Sequence, residues 1–178
     1  MTTLLGISGS LRRASTNTML MRNAAAIFGP DEFIEADINF PLFNEDLQEA
    51  EGIPAAVQTL SGQIARADAV IIATPEYNKA LSGALKNALD WVSRTEGNPW
   101  NDKPLAIMSA AAGRAGGERS QFSLRLAMMA FRPRILQGPE VLVGGSSKEF
   151  DAEGKLTGES YIKFTTALMD ALRREIGR

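Results

Sequence analysis

Ala69-Val70-Ile71-Ile72-Ala73-Thr74-Pro75-Glu76-Tyr77-Asn78 is the stretch of this 178-residue chain on which the fold class turns. Its first five residues are continuously apolar and β-branched at the centre, the pattern of a short strand buried on both faces of a parallel sheet. A proline, a carboxylate, a tyrosine and an asparagine then end it abruptly, so the strand delivers a polar turn at its carboxyl end. Outward from this segment, comparable runs occur at residues 3–8, 32–38, 104–110 and about 139–144. Helical periodicity fills the intervals. Residues 17–28 bring Met19, Leu20, Ala24 and Ile27 to one side. Residues 54–66 carry Val57, Leu60, Ile64 and Ala65 behind Pro54, which suits a helix start. Residues 82–94 align Leu85, Ala88, Leu89 and Val92, and 118–131 and 159–176 complete the set, the last with Arg173-Arg174 where a helix C-terminus favours cations.

Five strands alternating with five helices predict a three-layer α/β sandwich, one domain over residues 1–178, around a five-stranded parallel sheet. Residues 39–53 are expected as the one long irregular connection, and 145–158 as a second, with Asp151-Ala152-Glu153-Gly154 as a turn. In a sheet of order 2-1-3-4-5, strands one and three are neighbours whose connections leave on opposite faces. Ligands sit outside the carboxyl ends of the strands at that switch point.

Composition narrows the chemistry. The chain is 44% hydrophobic and 22% charged, ordinary for a globular protein, and a net charge of −2 gives no electrostatic reason to expect nucleic acid or an anionic membrane as partner. No apolar run approaches the roughly 20 residues of a membrane span. Met1-Thr2-Thr3 is not a basic segment ahead of an apolar core, so a cytoplasmic location is expected. There is no cysteine, which removes thiolate nucleophiles, iron–sulfur clusters and thiol zinc sites. There is no histidine, which removes imidazole acid–base chemistry. No stretch has the spacing of a calcium loop, and no metal site is expected. Demanding chemistry in such a chain belongs to a cofactor, with the protein supplying position and polarity.

Two loops suggest which one. After Leu4-Leu5-Gly6-Ile7 comes Gly9-Ser10-Leu11-Arg12-Arg13-Ala14-Ser15-Thr16-Asn17-Thr18, opening a helix. A simple helix cap needs one Ser, Thr or Asn. Here Ser10, Ser15, Thr16, Asn17 and Thr18 put five within nine positions, around two arginines, and a helix N-terminus adds unpaired N–H groups. That suits a phosphate, with Arg12 preferred to Arg13 as its cation although spacing hardly separates them. The loop is neither a Walker sequence nor a dinucleotide G-x-G-x-x-G. The second loop, Pro75-Glu76-Tyr77-Asn78, would otherwise read as a turn, but it brings one of only two tyrosines to a ligand-facing strand end. Together the loops point to a flavin nucleotide. Ala112-Gly113-Arg114-Ala115-Gly116-Gly117 falls at the same edge, where small residues admit close approach of a ring or simply make a flexible turn. Glu76, Tyr77 and Arg94 are the candidate pocket side chains; hydride transfer needs no general base at Glu76, and Arg94 reads first as a cation at a helix end. Phe43 reads as local packing, and Met128-Met129 as core or subunit interface.

On these residues the chain resembles the NADPH-dependent FMN reductase family, whose members include chromate reductases, quinone reductases and azoreductase-type flavoproteins. The resemblance rests on Gly9-Ser10-Leu11-Arg12…Ser15-Thr16-Asn17-Thr18, on Ala67 to Asn78, on Gly83…Leu85-Lys86-Asn87-Ala88-Leu89-Asp90-Trp91, and on Gly113…Gly116-Gly117. It implies a flavodoxin-like fold with FMN bound. Ser10, Arg12, Ser15, Asn17 and Thr18 would hold the phosphate. Pro75, Glu76, Tyr77 and Asn78 would line the ring beside the loop of Ala110, Gly113, Gly116 and Gly117. It also implies NADH or NADPH as co-substrate, a small-molecule electron acceptor, and a homodimer or homotetramer using the Lys86–Trp91 helix. Members often carry small residues after the Tyr-Asn pair; here Lys79-Ala80 stand there, placing a cation at the entrance.

The activity expected is a hydride relay from NAD(P)H through FMN to a quinone, a flavin, chromate or a ferric complex. One alternative is a flavodoxin-like electron carrier that NAD(P)H does not reduce, against which the near-neutral charge speaks. Another is a non-catalytic phosphate binder, which leaves the Tyr77 region unexplained.

Overall fold

A computed structural model of the chain describes residues 1–177. The strands are β1 (Thr3–Ser8), β2 (Glu32–Glu35), β3 (Ala69–Ala73), β4 (Pro104–Ala110), β5 (Arg134–Ile135) and β6 (Leu142–Val143). All pair in parallel, in the order β2-β1-β3-β4-β5, with β6 also on β4. The helices are α1 (Thr16–Phe28), α2 (Glu45–Glu51), α3 (Ala55–Arg66), α4 (Gly83–Val92), α5 (Glu118–Met128) and α6 (Glu159–Glu175).

The two-residue period of the strands sorts the core into two layers. Leu5, Ile7, Val70, Ile72, Leu105 and Ile107 face α3, α4 and α5. Leu4, Ala69, Ile71, Ala73, Ala106 and Met108 face α1 and α6. Val70, Ile71 and Ile72 are fully buried, each worth about 1.5–3 kcal/mol of transfer free energy. The expected flavodoxin-like α/β sandwich and its strand order are therefore those of the molecule.

Four details depart from the sequence reading. The strand expected at about 139–144 is only the short β6, on the end of β4 (Ser109↔Leu142), and an unforeseen β5 pairs with the start of β4 (Pro104↔Arg134). Pro139 between them has no N–H to give a ladder, which keeps the two from joining. The second strand, expected over 32–38, stops at Glu35. Within 39–53 lies α2, capped by the Asn44 side chain accepting the Asp46 N–H at 3.0 Å. The helix expected over 118–131 ends at Met128 and tightens into a 3-10 turn over Met129–Phe131, because Arg132 is left-handed and Pro133 follows.

Three contacts bring the loops together at the carboxyl ends of β1, β3 and β4. Gly9 donates its N–H to Ala73 O at 2.8 Å and lies so close to the next loop that an added Cβ would stand 3.1 Å from Pro75 Cδ. The buried Asn17 side chain donates to Ala110 O and accepts from Ala110 N–H, both at 2.9 Å. Tyr77 and Ala80 exchange two 3.1 Å backbone bonds around Asn78 (φ 49°) and Lys79 (φ 69°), a two-residue hairpin with both central residues left-handed.

Asn17→Ala leaves two buried backbone groups unpaired and is expected to cost about 3 kcal/mol, read as a lower urea midpoint with little change of slope.

Candidate functional site

A cavity of about 360 Å³ opens where these loops meet. Ser10, Arg12, Ser15, Thr16 and Asn17 form one wall, Pro75, Glu76 and Tyr77 a second, and Ala110, Ala111 and Ala112 with Ser146 and Ser147 a third.

The first wall is rich in donors. Ser15 is the N-cap of α1, its buried Oγ accepting the Thr18 N–H at 3.3 Å. The preceding N–H groups of Thr16 and Asn17 have no acceptor among the described residues and sit at the positive end of the helix dipole. Arg12 is exposed, and its guanidinium has no hydrogen-bond or ion-pair partner among the described residues. The Arg12 N–H is held by Ser10 Oγ at 3.3 Å, which shapes the loop. Cation, hydroxyls and helix N–H groups converge, the donor set that a phosphate ester requires.

The third wall is small. Ala110 to Ala112 leave open space beside the strand ends, and Tyr77, 56% exposed, stands at the mouth. A planar heterocycle has room there, so the residues present fit FMN: the first wall would hold its phosphate and the alanines would line its ring.

Glu76 is the one acidic side chain of the lining. Its carboxylate accepts the Arg119 N–H at 3.1 Å, in the first turn of α5. Gly117, the N-cap of that helix, has no side chain to do so, and a carboxylate there also complements the helix dipole.

The remaining sequence candidates are committed to other contacts or lie outside this cavity. Asn17 lines the cavity, but its amide is engaged on Ala110, so what it offers a ligand is its N–H. Thr18 Oγ1 donates to Ser8 Oγ at 2.8 Å and lines a neighbouring cavity. Asn78 forms the hairpin turn. Gly116 (φ 63°) and Gly117 (φ 88°) are pressed against the sheet: a Cβ would stand 2.4 Å from the Leu142 carbonyl carbon in the first and 2.9 Å from Ser109 Cβ in the second. Gly113 O accepts from Gly116 N–H at 3.2 Å and from Gly145 N–H at 3.3 Å. Gly116 and Gly117 allow close packing of the α5 entrance on β4 and β6. Arg94 faces α2, bonding Gln48 Oε1 at 3.0 Å and standing 6.0 Å from the Phe43 ring centroid.

Sequence reasoning left out Ser146 and Ser147. Ser146 is buried, accepts from Thr16 Oγ1 at 3.3 Å and donates its N–H to Ala111 O at 3.1 Å. The run Gly144-Gly145-Ser146-Ser147 was the available signal, obscured by its place in an expected connection. A smaller cavity of about 150 Å³ between Val92–Trp100 and Ala130–Arg132 shares no residue with the cleft.

The chain matches the family model described as NADPH-dependent FMN reductase over residues 2–148. It is 41% identical over 177 residues to an NAD(P)H-dependent FMN reductase of Pseudomonas aeruginosa, covering 98% of this chain and 95% of that one. It is 35% identical over 174 residues to a quinone reductase of Escherichia coli K12, covering 96% and 93%. Among solved structures it is similar to FerB, a flavoenzyme NAD(P)H:(acceptor) oxidoreductase from Paracoccus denitrificans, with a TM-score of 0.87 and 31% identity over 99% of this chain and 97% of that one. The family match takes in β1 through the Ser146–Ser147 wall, every segment from which the cleft is built, and the chain belongs to the NADPH-dependent FMN reductase family.

Proposed function

We propose that this chain is an NAD(P)H:quinone oxidoreductase that works through FMN held in the three-walled cleft. The observation that carries the reading is the meeting, in one cavity, of a donor-rich wall and a small-residue wall at the switch point between β1 and β3. When bound, FMN supplies the ring that accepts hydride from the nicotinamide and gives it to the acceptor. Arg12, the Ser10 hydroxyl and the α1 N–H groups would hold its phosphate by charge-assisted and neutral hydrogen bonds. The Pro75–Tyr77 backbone and Ala110–Ala112 would line and orient its ring. Orientation is the protein's contribution, worth up to about 7–11 kcal/mol when both reactants are held in place. Quinone as acceptor class follows the quinone reductase likeness and the absence of a bulky cover over the alanine wall.

The partner surface we assign to a second copy of the chain is α5. Phe122 and Leu126 on its outer side and Met129 in the turn that follows are exposed at helical spacing, 71% for Leu126 and 70% for Met129. The Lys86–Trp91 segment suits this less well. Asn87, Ala88, Leu89 and Trp91 are buried, and Lys86 is paired with Asp90 on the outer face. The apolar ridge lies on the helix whose first turn is held by Glu76, so two copies meeting there stand beside the cleft.

Anaerobic mixing of the FMN-loaded protein with NADH or NADPH is expected to bleach the flavin, and a quinone to restore it; a flavin that binds but stays oxidised identifies an electron carrier instead. Arg12→Ala is expected to weaken FMN binding by about 10–150-fold, the loss of one charge-assisted bond, with the melting temperature of the flavin-free protein unchanged. Leu126→Glu is expected to convert a dimer to monomers in sedimentation, whereas an unchanged mass puts the interface elsewhere.

A further inference from the structure

The loop that carries Arg12 has two sides. Beyond it, between the loop, α1 and the end of β2, lies a second cavity of about 400 Å³. Ser10 and Arg12 line both cavities, so the loop is their common wall. This volume is in the range of small-molecule sites.

The charges of the second cavity are unequally committed. Arg22 and Glu35 are joined by two 2.8 Å hydrogen bonds, and the bond to Glu35 raises the Arg22 pKa above its usual value against partial desolvation. Asp37 accepts the Asn39 N–H through Oδ1 at 2.8 Å, and its Oδ2 has no hydrogen-bond partner among the described residues. Arg13 lines the cavity, is exposed, and has no side-chain partner among the described residues. With Arg12 directed to the FMN phosphate, Arg13 is a second, uncommitted guanidinium, beside a carboxylate that can still accept.

A nicotinamide dinucleotide whose reactive ring stands over the flavin is too long for a cleft of about 360 Å³ that it must share with FMN. Its adenosine end must lie outside, and the cavity across the shared wall has space, cation and acceptor. We propose that this second cavity is the subsite for the phosphorylated ribose of NADPH, Arg13 binding the 2′-phosphate and Asp37 Oδ2 accepting the neighbouring ribose hydroxyl. The subsite rests on the reductase reading above. It makes Arg13, rather than Lys79, the residue that distinguishes NADPH from NADH: Lys79 sits at the hairpin tip and lines neither cavity.

The test uses FMN-loaded wild type, Arg13→Ala and Lys79→Ala, with flavin content and melting temperature confirming intact folding. Calorimetric titration with adenosine 2′,5′-bisphosphate and with 5′-AMP reads the subsite without turnover. Wild type is expected to prefer the bisphosphate, and Arg13→Ala to lose about tenfold or more of that affinity, with a similar rise in KM for NADPH and a rise of less than about twofold for NADH. Lys79→Ala is expected to keep the preference. Bisphosphate affinity unchanged in Arg13→Ala, or lost in Lys79→Ala instead, overturns the subsite while NADPH still bleaches the flavin. A wild-type flavin that no nucleotide bleaches overturns the reductase reading, and the subsite with it.

Discussion

Two hydrogen bonds of 2.9 Å, between the Asn17 side chain and the N–H and carbonyl of Ala110, join the first turn of α1 to the last residue of β4. Strand ends in a parallel sheet present peptide groups to loops rather than to a partner strand, and buried peptide groups must be paired. An asparagine, with both donor and acceptor on one planar amide, satisfies both at once. The consequence is geometric. The N-terminus of α1 is fixed beside the alanines after β4, with the unpaired N–H groups of Thr16 and Asn17 at the edge of the same cleft.

The rest of the frame is held from beneath. Ser109 Oγ donates to Gly116 O at 2.7 Å, and Gln121 Nε2 donates to Ser109 Oγ and to Val141 O, both at 2.9 Å. This buried network fastens the β4–α5 loop to the split fifth strand. It works only because Gly116 and Gly117 let the backbones touch. Glu76 then couples the β3 loop to α5 through the Arg119 N–H. Structural polar groups are thus consumed below and behind the cleft, and the uncommitted ones gather on the β1–α1 loop, which suits a site whose chemistry resides in a bound cofactor.

The segment 39–53 illustrates a different kind of closure. Trp91 Nε1 donates to Pro41 O at 2.8 Å, the Phe43 N–H donates to Asn87 Oδ1 at 2.8 Å, and Phe43 meets Trp91 edge-on at 5.1 Å. Arg94 and Gln48 tie α2 to the end of α4. A stretch with no apolar periodicity of its own is ordered by side chains from a distant helix, and Arg94 is spent there.

The sequence by itself determined the layered fold and the loops that carry its polar groups, while the strand order, and with it the ligand edge, came from likeness to flavodoxin-like folds. The layers and loops follow from local facts: continuous β-branched runs for doubly buried strands, helical periodicity between them, and loops rich in Ser, Thr, Asn, Arg and Gly after β1, β3 and β4. It also identified Ser10, Arg12, Pro75 and Tyr77 as residues of one cleft, because these sit on loops whose neighbours follow from strand order. Only the tertiary structure decided which polar groups remain available. Asn17 is bound to a residue 93 positions away, Glu76 to one 43 away, and Thr16 to Ser146, 130 away. The strand piece β5, and the pressed glycines of the α5 entrance, were likewise beyond local reading. A polar side chain in a loop has the same local signature whether it faces a ligand or a buried peptide group. The choice is made by the backbone that folding brings beside it, since leaving that backbone unpaired costs more than any local preference contributes.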